Sequence, residues 1–301
     1  MVVVPVELLP LTDRAAAVPF AGMTYPHYIP TLLGVTPDGP TLAIGATAPE
    51  PCGLVLAQIA DSHAHIRSVL VKAAHRKQGI GTTLLRAAEE ALRARGVTTV
   101  SGTFPGGKDT TPAVERILAK CGWDAPTPSM YLYTLPPEAA KAPRTAAWLQ
   151  PRDWPAGFDL VHWDDIPPTA FEEVAGRVAS GEVPGIVSPF QEPDAINHRL
   201  SCALISPGRM AAWAVVHQLT EKTIRCTALY ADPKAVPPGV GLQLLGRAYS
   251  QWLDMCDAGE DVSATFGIHA ANPFLRVFQR RVLPSMTPNT LTVTMTCSKS
   301  L

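Results

Sequence analysis

Ser68-Val69-Leu70-Val71-Lys72-Ala73-Ala74-His75-Arg76-Lys77-Gln78-Gly79-Ile80-Gly81-Thr82 is the stretch that decides the fold. A short apolar strand gives way to a basic turn, R-K-Q-G-I-G, and the turn opens a long helix over residues 81–95. Leu84, Leu85, Ala88 and Leu92 line one face of that helix, and Glu89 and Arg93 sit one turn apart on another. Gly96 ends it, as glycine does just past a helix. Strand, glycine turn and helix together form an anion cradle: the glycines let the backbone approach a phosphate, and the unpaired first-turn amides point at it. Lys72, His75, Arg76 and Lys77 gather positive charge around the same turn. The helix dipole adds about 0.3–1 kcal/mol of attraction for an anion. A dinucleotide fingerprint would need G-x-G-x-x-G with an acidic residue on the next strand, and a P-loop would need G-K-[ST]; neither pattern is present.

Working outward, strand patterns fall at residues 2–9, 41–46, 53–59 and 63–71 before the helix, and at 97–104 after it. A second helix over 112–121 is closed by Gly122, and a last strand falls at 130–134. Residues 135–155 are proline-rich without a clean period, a connector that Trp148 and Trp154 could pin. The pattern then restarts. Strands are expected at 158–163, 211–219, 223–230, 262–268 and 290–297, with helices at 170–179, 241–255 and 273–281.

The two halves read as one unit used twice. Gly79-Ile80-Gly81 recurs as Gly239-Val240-Gly241, and Leu84-Leu85 as Leu244-Leu245, both 160 residues on. Thr103-Phe104 recurs as Thr265-Phe266, and Thr111-Pro112 matches Asn272-Pro273. The second cradle is altered. Its turn reads Val236-Pro237-Pro238-Gly239-Val240-Gly241, so two phosphate-binding amides and the arginine are missing. The expected division is residues 1–135 as a ligand-binding domain, 136–156 as a proline-rich linker, and 157–301 as a second domain with a degenerate cradle. The long loop 180–194, SGEVPGIVSPFQEPD, is a candidate lining for a site of the first copy that the second copy helps to shape or cover.

Composition bounds the function. The chain has 301 residues, 47% apolar and 17% charged, with 30 prolines and net charge −1. Bulk attraction to nucleic acid or to an anionic membrane is not expected, nor is disorder. No apolar run reaches the 18 or so residues needed to span a bilayer, and the opening MVVVPVELLPLT lacks a basic n-region. A cytoplasmic protein, monomeric or homodimeric, is expected. Six cysteines, Cys52, Cys121, Cys202, Cys226, Cys256 and Cys297, are scattered without metal-ligand spacing, so they read as buried or idle thiols and no metal is expected.

Arg76-Lys77-Gln78-Gly79-Ile80-Gly81 fills the Q/R-x-x-G-x-G/A signature of the GNAT superfamily of N-acyltransferases, between a strand and a helix in the right order. The chain resembles that superfamily well over roughly residues 40–125 and more weakly in its second half. The resemblance implies an α/β fold: two tandem GNAT domains, each a mixed, mostly antiparallel sheet flanked by helices. In architecture such a chain is similar to mycothiol synthase, although there the active copy is the C-terminal one. The stretch 110–118 with Cys121-Gly122-Trp123 also resembles bacterial tandem GNATs that attach fatty acyl chains to lysine or ornithine side chains of peptides.

What the resemblance implies is an acyl-CoA donor, acetyl-CoA or a longer acyl-CoA, and an amine acceptor. Its pyrophosphate would rest on Arg76, Lys77, Gln78, Gly79, Ile80, Gly81 and Thr82. Its pantetheine arm would pair with the backbone at Val69, Leu70 and Val71. The general base is sought on the same strand. His65 lies six residues before Val71, which on a regular strand puts both on one face. Arylalkylamine acetyltransferases are similar in carrying histidines there, and a neutral imidazole suits proton relay near pH 7. His63 lies further out, and Arg67 would depress a neighbouring histidine. Glu115 and Asp109 are further base candidates. The family's helix tyrosine, counted back from Gly122-Trp123, falls on Leu118, so Tyr131 or Tyr133 is left as an acid candidate. The expected function is acyl transfer to a primary amine; the alternative is a non-catalytic CoA-binding or sensing protein.

Overall fold

The computed structural model describes residues 5–141, 145–150 and 152–301. The first three positions of the expected strand 2–9, and residues 142–144 and 151 of the expected connector, lie outside the described residues. In chain order the first half holds β1 (Glu7–Pro10), α1 (Arg14–Ala17), α2 (Ile29–Leu33), β2 (Thr41–Thr47), β3 (Pro51–Ala60), β4 (His63–Val71), α3 (Ile80–Ala94), β5 (Thr99–Pro105), α4 (Thr111–Lys120) and β6 (Thr127–Leu135). The second holds β7 (Asp159–His162), α5 (Pro168–Ala179), β8 (Cys202–Ser206), β9 (Arg209–Thr220), β10 (Thr223–Ala231), α6 (Val240–Asp257), β11 (Ser263–His269), α7 (Leu275–Arg281) and β12 (Thr290–Ser300).

The chain forms two compact units, one of residues 1–129 with 293–301, the other of residues 130–292. Strands of the first follow the order β1-β2-β3-β4-β5-β12, and those of the second the order β7-β8-β9-β10-β11-β6. Each order has a single parallel pair, β4 with β5 and β10 with β11. The mixed α/β architecture expected from the sequence is present, and the same topology occurs twice. The closing strands differ from expectation. The strand at 130–134, read as the end of the first half, pairs antiparallel with β11, Leu135 facing Ala264 and Met130 facing His269. The strand at 290–297, read as the end of the second, pairs with β5, Thr294 facing Pro105 and Ser300 facing Thr99. Alternation of apolar and polar residues marks a strand and its faces but does not name its hydrogen-bonding partner, so the exchange leaves no trace in the local pattern.

In the first unit, odd and even residues of β3 serve two cores. Val55 and Ala57 join α3 through Leu84, Leu85, Ala88 and Leu92, whereas Leu54 and Leu56 meet Phe20, Met23 and Leu32 from the short helical turns between β1 and β2. Each fully buried leucine contributes roughly 1.5–3 kcal/mol. The sequence reading missed these turns because VPFAGMTYPHYIP is broken by proline and glycine and shows no helical period. It also missed β8. The stripe on α3 is as expected, and the helix closes with Gly96 at φ +79°, its N–H bonding Arg93 O and the Val97 N–H bonding Leu92 O.

In the second unit, α6 and α7 pack Tyr249, Trp252, Leu253 and Phe278 against Phe266 and Ile268 of β11. The connector docks on the same unit. Trp148 packs against Tyr249, the rings tilted at 44° with centroids 5.3 Å apart, and donates from Nε1 to Ser285 Oγ at 2.8 Å, and Trp154 packs near Val236 and Leu244.

Candidate active site

The two strands that carry the expected site part company in mid-course. β4 pairs with β5 only from His63 to Ile66, opposite Thr99 to Gly102. Beyond that point Arg67–Val71 keep β3 as a neighbour, while β5 continues beside β12. A bulge marks the divergence. Leu56 faces Ser68 and Ala57 faces Ile66, so Arg67 is the extra residue. This corrects the facing expected from sequence spacing. His65 lies opposite Gln58 and Val71 opposite Gly53, an odd separation along β3, so the two point to opposite faces. His65 shares its face with Leu70, beside the short helical turns; Val71 faces α3.

Four side chains meet at the fork. His65 Nδ1 is 2.9 Å from Ser101 Oγ, and His63 Nε2 is 2.9 Å from the same oxygen. The Thr103 hydroxyl is 3.4 Å from His65 Nε2. One hydroxyl thus joins the two imidazoles; it carries one proton, so it donates to one ring while accepting from the other. Partial burial pushes the His65 pKa below its ordinary value, and the charges of Arg67 and His63 push the same way. A neutral imidazole at physiological pH is the form that accepts a proton from an ammonium. The spacing H-x-H on β4 and S-x-T on β5 was legible as two period-2 faces, yet Ser101 and Thr103 were not singled out, because their pairing with the histidines is long-range.

The cradle follows directly from the end of β4. Lys77 at φ +64° and Gly79 at φ +85° bracket Gln78, a left-handed turn that swings successive N–H groups to one side. Gly79 caps α3, whose first intrahelical bond runs from Thr83 N to Gly79 O, so the amides of Ile80, Gly81 and Thr82 precede it. Gly81 serves packing: a Cβ there would lie 2.8 Å from Ile117 Cδ1 of α4. Arg76, Lys77 and Gln78 are exposed, and Arg76 Nε donates to Val71 O at 3.1 Å. The strand edge at Val69, Leu70 and Val71 and the cradle at residues 76–82 thus form one continuous surface of hydrogen-bonding groups, with the cationic side chains at its end.

The remaining candidates sit elsewhere. Glu115 is exposed on α4 and Asp109 is exposed before it; among the described residues neither bonds to the histidine group. Leu118 is buried against α3. Tyr131 and Tyr133 belong to the second unit, Tyr131 partly buried and Tyr133 fully buried with its hydroxyl accepting from Gln279 Nε2 at 3.2 Å. Among the described residues no group of three or more His, Cys, Asp or Glu side chains is arranged to hold a metal, and no helix is long and apolar enough to cross a membrane. Burial raises the Cys202 and Cys297 thiols to about 11 and Cys226 to about 12, which leaves them protonated and unreactive at neutral pH.

The second unit repeats the scaffold without the chemistry. Its bulge falls at Thr227, Arg225 stands opposite Thr265 where His65 stands opposite Ser101, and Gly239 at φ +101° caps α6 as Gly79 caps α3. Pro237 and Pro238 supply no N–H, Val236 is buried, and the Val240 amide is bonded to Pro237 O. The strand end is sealed by Asp232, which accepts from Arg177 Nη2 at 2.8 Å, from Arg209, and from the Lys234 amide at 2.9 Å. Burial pushes the Asp232 pKa up, but these donors outweigh it and hold the carboxyl below its ordinary value.

Residues 16–122 match the model of the Acetyltransferase (GNAT) family. No curated protein matches the chain by sequence. Among solved structures, a tandem GNAT protein from the clavulanic acid biosynthesis pathway is 16% identical, with 98% of each chain covered and a TM-score of 0.62. A GCN5-related N-acetyltransferase from Sphaerobacter thermophilus is 12% identical, covering 97% of this chain and 95% of that one, with a TM-score of 0.59. A conserved protein of unknown function from Enterococcus faecalis V583, a probable N-acyltransferase, is 12% identical over 98% of this chain and 73% of that one, with a TM-score of 0.54. The whole chain therefore has the tandem GNAT fold, and residues 16–122, within its first unit, match a GNAT acetyltransferase domain.

Proposed function

We propose that the first unit transfers an acyl group from an acyl-CoA to a primary amine, with His65 as general base, and that the second unit does not bind the donor. The observation that carries this reading is the fork between β4 and β5. It puts a neutral, hydrogen-bonded imidazole beside an unpaired strand edge that runs into the Gly79–Gly81 cradle. The cradle amides and Arg76 hold the donor's pyrophosphate, and the strand edge at Val69, Leu70 and Val71 takes its pantetheine amides. His65 accepts a proton from the acceptor ammonium. The freed amine forms the C–N bond as the thioester C–S bond breaks, and the thiolate leaves as CoA. Through Ser101 the proton passes to His63, which is exposed and returns it to water.

The donor is acetyl-CoA or a longer, fatty acyl-CoA, and the acceptor class includes lysine or ornithine side chains of peptides, by likeness of the 110–123 stretch to peptide-modifying members. A cytoplasmic location is in keeping with an acyl-CoA donor. Release of thiol from acetyl-, octanoyl- and palmitoyl-CoA is the test, measured with a panel of amines that includes lysine- and ornithine-containing peptides. Amine-dependent release that falls sharply in His65→Gln is the expected result. The second reading, a CoA-binding or sensing protein, is favoured by Leu118 standing where the family carries a tyrosine. Tight CoA binding without acyl-CoA consumption by any amine establishes it and removes the first.

A further inference from the structure

One arginine of the first unit differs from all the others. Arg14, Arg76, Arg86, Arg93, Arg95 and Arg116 are exposed, where water satisfies their N–H groups, but Arg67 is partly buried. A guanidinium has five N–H donors and no acceptor. Among the described residues no carbonyl or side chain accepts a hydrogen bond from Arg67, and no carboxylate pairs with it. What the group does touch is a ring: its central carbon stands 6.0 Å from the centroid of Tyr28. Tyr28 covers one face of the guanidinium and leaves the N–H edge as a fork, the shape that matches a planar carboxylate. A cation drawn partly out of water without an acceptor is costly to keep, and the arrangement suits an anion carried by a ligand.

The place of Arg67 ties that anion to the acceptor. Arg67 is the extra residue of the β4 bulge, two positions after His65, and a bulge re-aims the side chain it carries. Tyr28 belongs to the short helical turns, the side of the sheet to which His65 points. Two positions on a strand span roughly 6–7 Å, so one small molecule can place an amine at His65 and an anion at Arg67. The second unit shows what a guanidinium at this fork takes. Arg225 stands where His65 stands in the first, two positions before the bulge at Thr227. Its Nη2 donates to both carboxylate oxygens of Glu192, at 2.9 and 2.8 Å, from the loop between α5 and β8. The corresponding turns of the first unit, between β1 and β2, hold two acidic residues: Asp13, which caps α1 by accepting from the Ala16 amide at 2.9 Å, and the exposed Asp38. Neither pairs with Arg67 among the described residues.

We propose that the acceptor is an amino acid, whose carboxylate Arg67 binds while its amine faces His65. This rests on the reading of His65 as the base of an acyl transfer and narrows it. A free amino acid, lysine or ornithine included, is a better acceptor than the same amine without a carboxylate near it, as in the interior of a peptide. Tyr25, exposed and stacked on His27 beside Tyr28, extends the aromatic surface next to the fork and suits an apolar side chain on the amino acid.

Thiol release by the full chain tests this, with acetyl-CoA and octanoyl-CoA as donors and two matched pairs of acceptors: phenylalanine with phenylalaninamide, and Nα-acetylornithine with its amide. Within each pair the carboxylate is what differs. Work at pH 8 keeps His65 neutral with or without the neighbouring guanidinium. In wild type the acid of at least one pair is expected to exceed its amide in kcat/KM by about tenfold or more, the effect of a charge-assisted hydrogen bond. Arg67→Met brings that ratio close to one, and Arg67→Lys, which keeps the charge but not the fork, leaves it between the two. The ratio is taken within each variant, so a general loss of activity does not imitate the result. If Arg67→Met no longer binds CoA in a calorimetric titration it is misfolded, and the ratio in Arg67→Lys decides. Equal use of acid and amide by wild type, or a preference undiminished in the variants, overturns the role of Arg67 and leaves acyl transfer standing. Thiol release with none of the four acceptors, beside intact CoA binding, overturns the acyl-transfer reading and this proposal with it.

Discussion

Ser101 Oγ stands 2.9 Å from His65 Nδ1, one step before the last paired position of the parallel strands β4 and β5. The same oxygen bonds His63, which gives the proposed base, His65, a way to discharge its proton. Replacing His65 by Gln keeps a polar group of similar size but no basic nitrogen. Turnover is expected to fall about 10²–10⁴-fold with the KM for acyl-CoA little changed. Ser101→Ala leaves His65 in place but breaks the link to His63, and a smaller fall is expected, about tenfold. Steady-state rates for the two variants decide it. Equal losses in both would contradict His65 as the base.

The lowered His65 pKa sets the acid limb of the pH–rate profile. The ring is already neutral somewhat below the ordinary histidine value, so kcat/KM rises with pH through that depressed pKa and is level near neutrality. Stability follows the same sign. His65 and His217 both have folded pKa values below the unfolded value, burial being the largest cause for each. The unfolded chain therefore binds more protons around pH 6. The stability these residues contribute is complete above the unfolded pKa and is lost as pH falls through the folded ones. Chemical denaturation at intervals from pH 8 to 5 should show a decline that is shallower in His65→Gln and His217→Gln.

Arg76 and Gly79 make different contributions to donor binding. Arg76→Ala removes a cation but leaves the amides, and weaker acyl-CoA binding by about tenfold or more is expected, with kcat nearly preserved. Gly79→Ala forces a Cβ into φ +85°, a cost of about 1–2 kcal/mol that falls on the turn presenting the amides. It should weaken donor binding and lower the melting temperature together, whereas Arg76→Ala should leave melting unchanged. Calorimetry with CoA beside a thermal melt distinguishes them.

The second cradle predicts a stoichiometry. Pro237 and Pro238 stand in place of donors, Val236 is buried and Asp232 is tied to Arg177 and Arg209, and on the proposed reading this turn takes no anion. Titration with CoA should saturate at a single site per chain, and Arg76→Ala should weaken that one event rather than expose a second. Two equivalents bound by wild type would refute the division of labour between the units.

How far the sequence carried this picture depends on the range of each interaction. The cradle and α3 were legible because R-K-Q-G-I-G and the Leu84–Leu92 stripe are local. The duplication was legible because Gly79 and Gly239 recur with their neighbours at constant spacing. The facing of His65 was misread because a bulge at Arg67 inserts one residue into a period of two, and only the partner strand reveals it. Ser101 and Thr103 were passed over because their value comes from their contacts with His65 on another strand, Ser101 opposite it and Thr103 just past the last paired position. Glu192 was captured only as part of a long loop, since nothing local indicates that its carboxylate reaches Arg225.

The exchanged strand β12 is fastened by a buried ion pair, and its removal tests whether the C-terminus is integral to the first unit. Lys299 Nζ lies 2.5 Å from Glu89 Oε2 of α3 and donates to Cys121 O at 2.6 Å, while Glu89 Oε1 accepts from Trp123 Nε1 at 2.7 Å. Glu89 is only 4% exposed. Lys299→Met leaves that carboxylate buried without its cation, an uncompensated charge that costs about 3–5 kcal/mol. Replacing both partners, Glu89→Leu with Lys299→Met, removes the charge along with its need for a partner and should recover much of the loss, while leaving Trp123 Nε1 without its acceptor. Urea unfolding of the single and double variants measures the difference. If Lys299→Met unfolds at the wild-type midpoint, the last strand is a loose appendage to the first unit; a marked shift that the double variant partly reverses identifies the Lys299–Glu89 pair as what holds it.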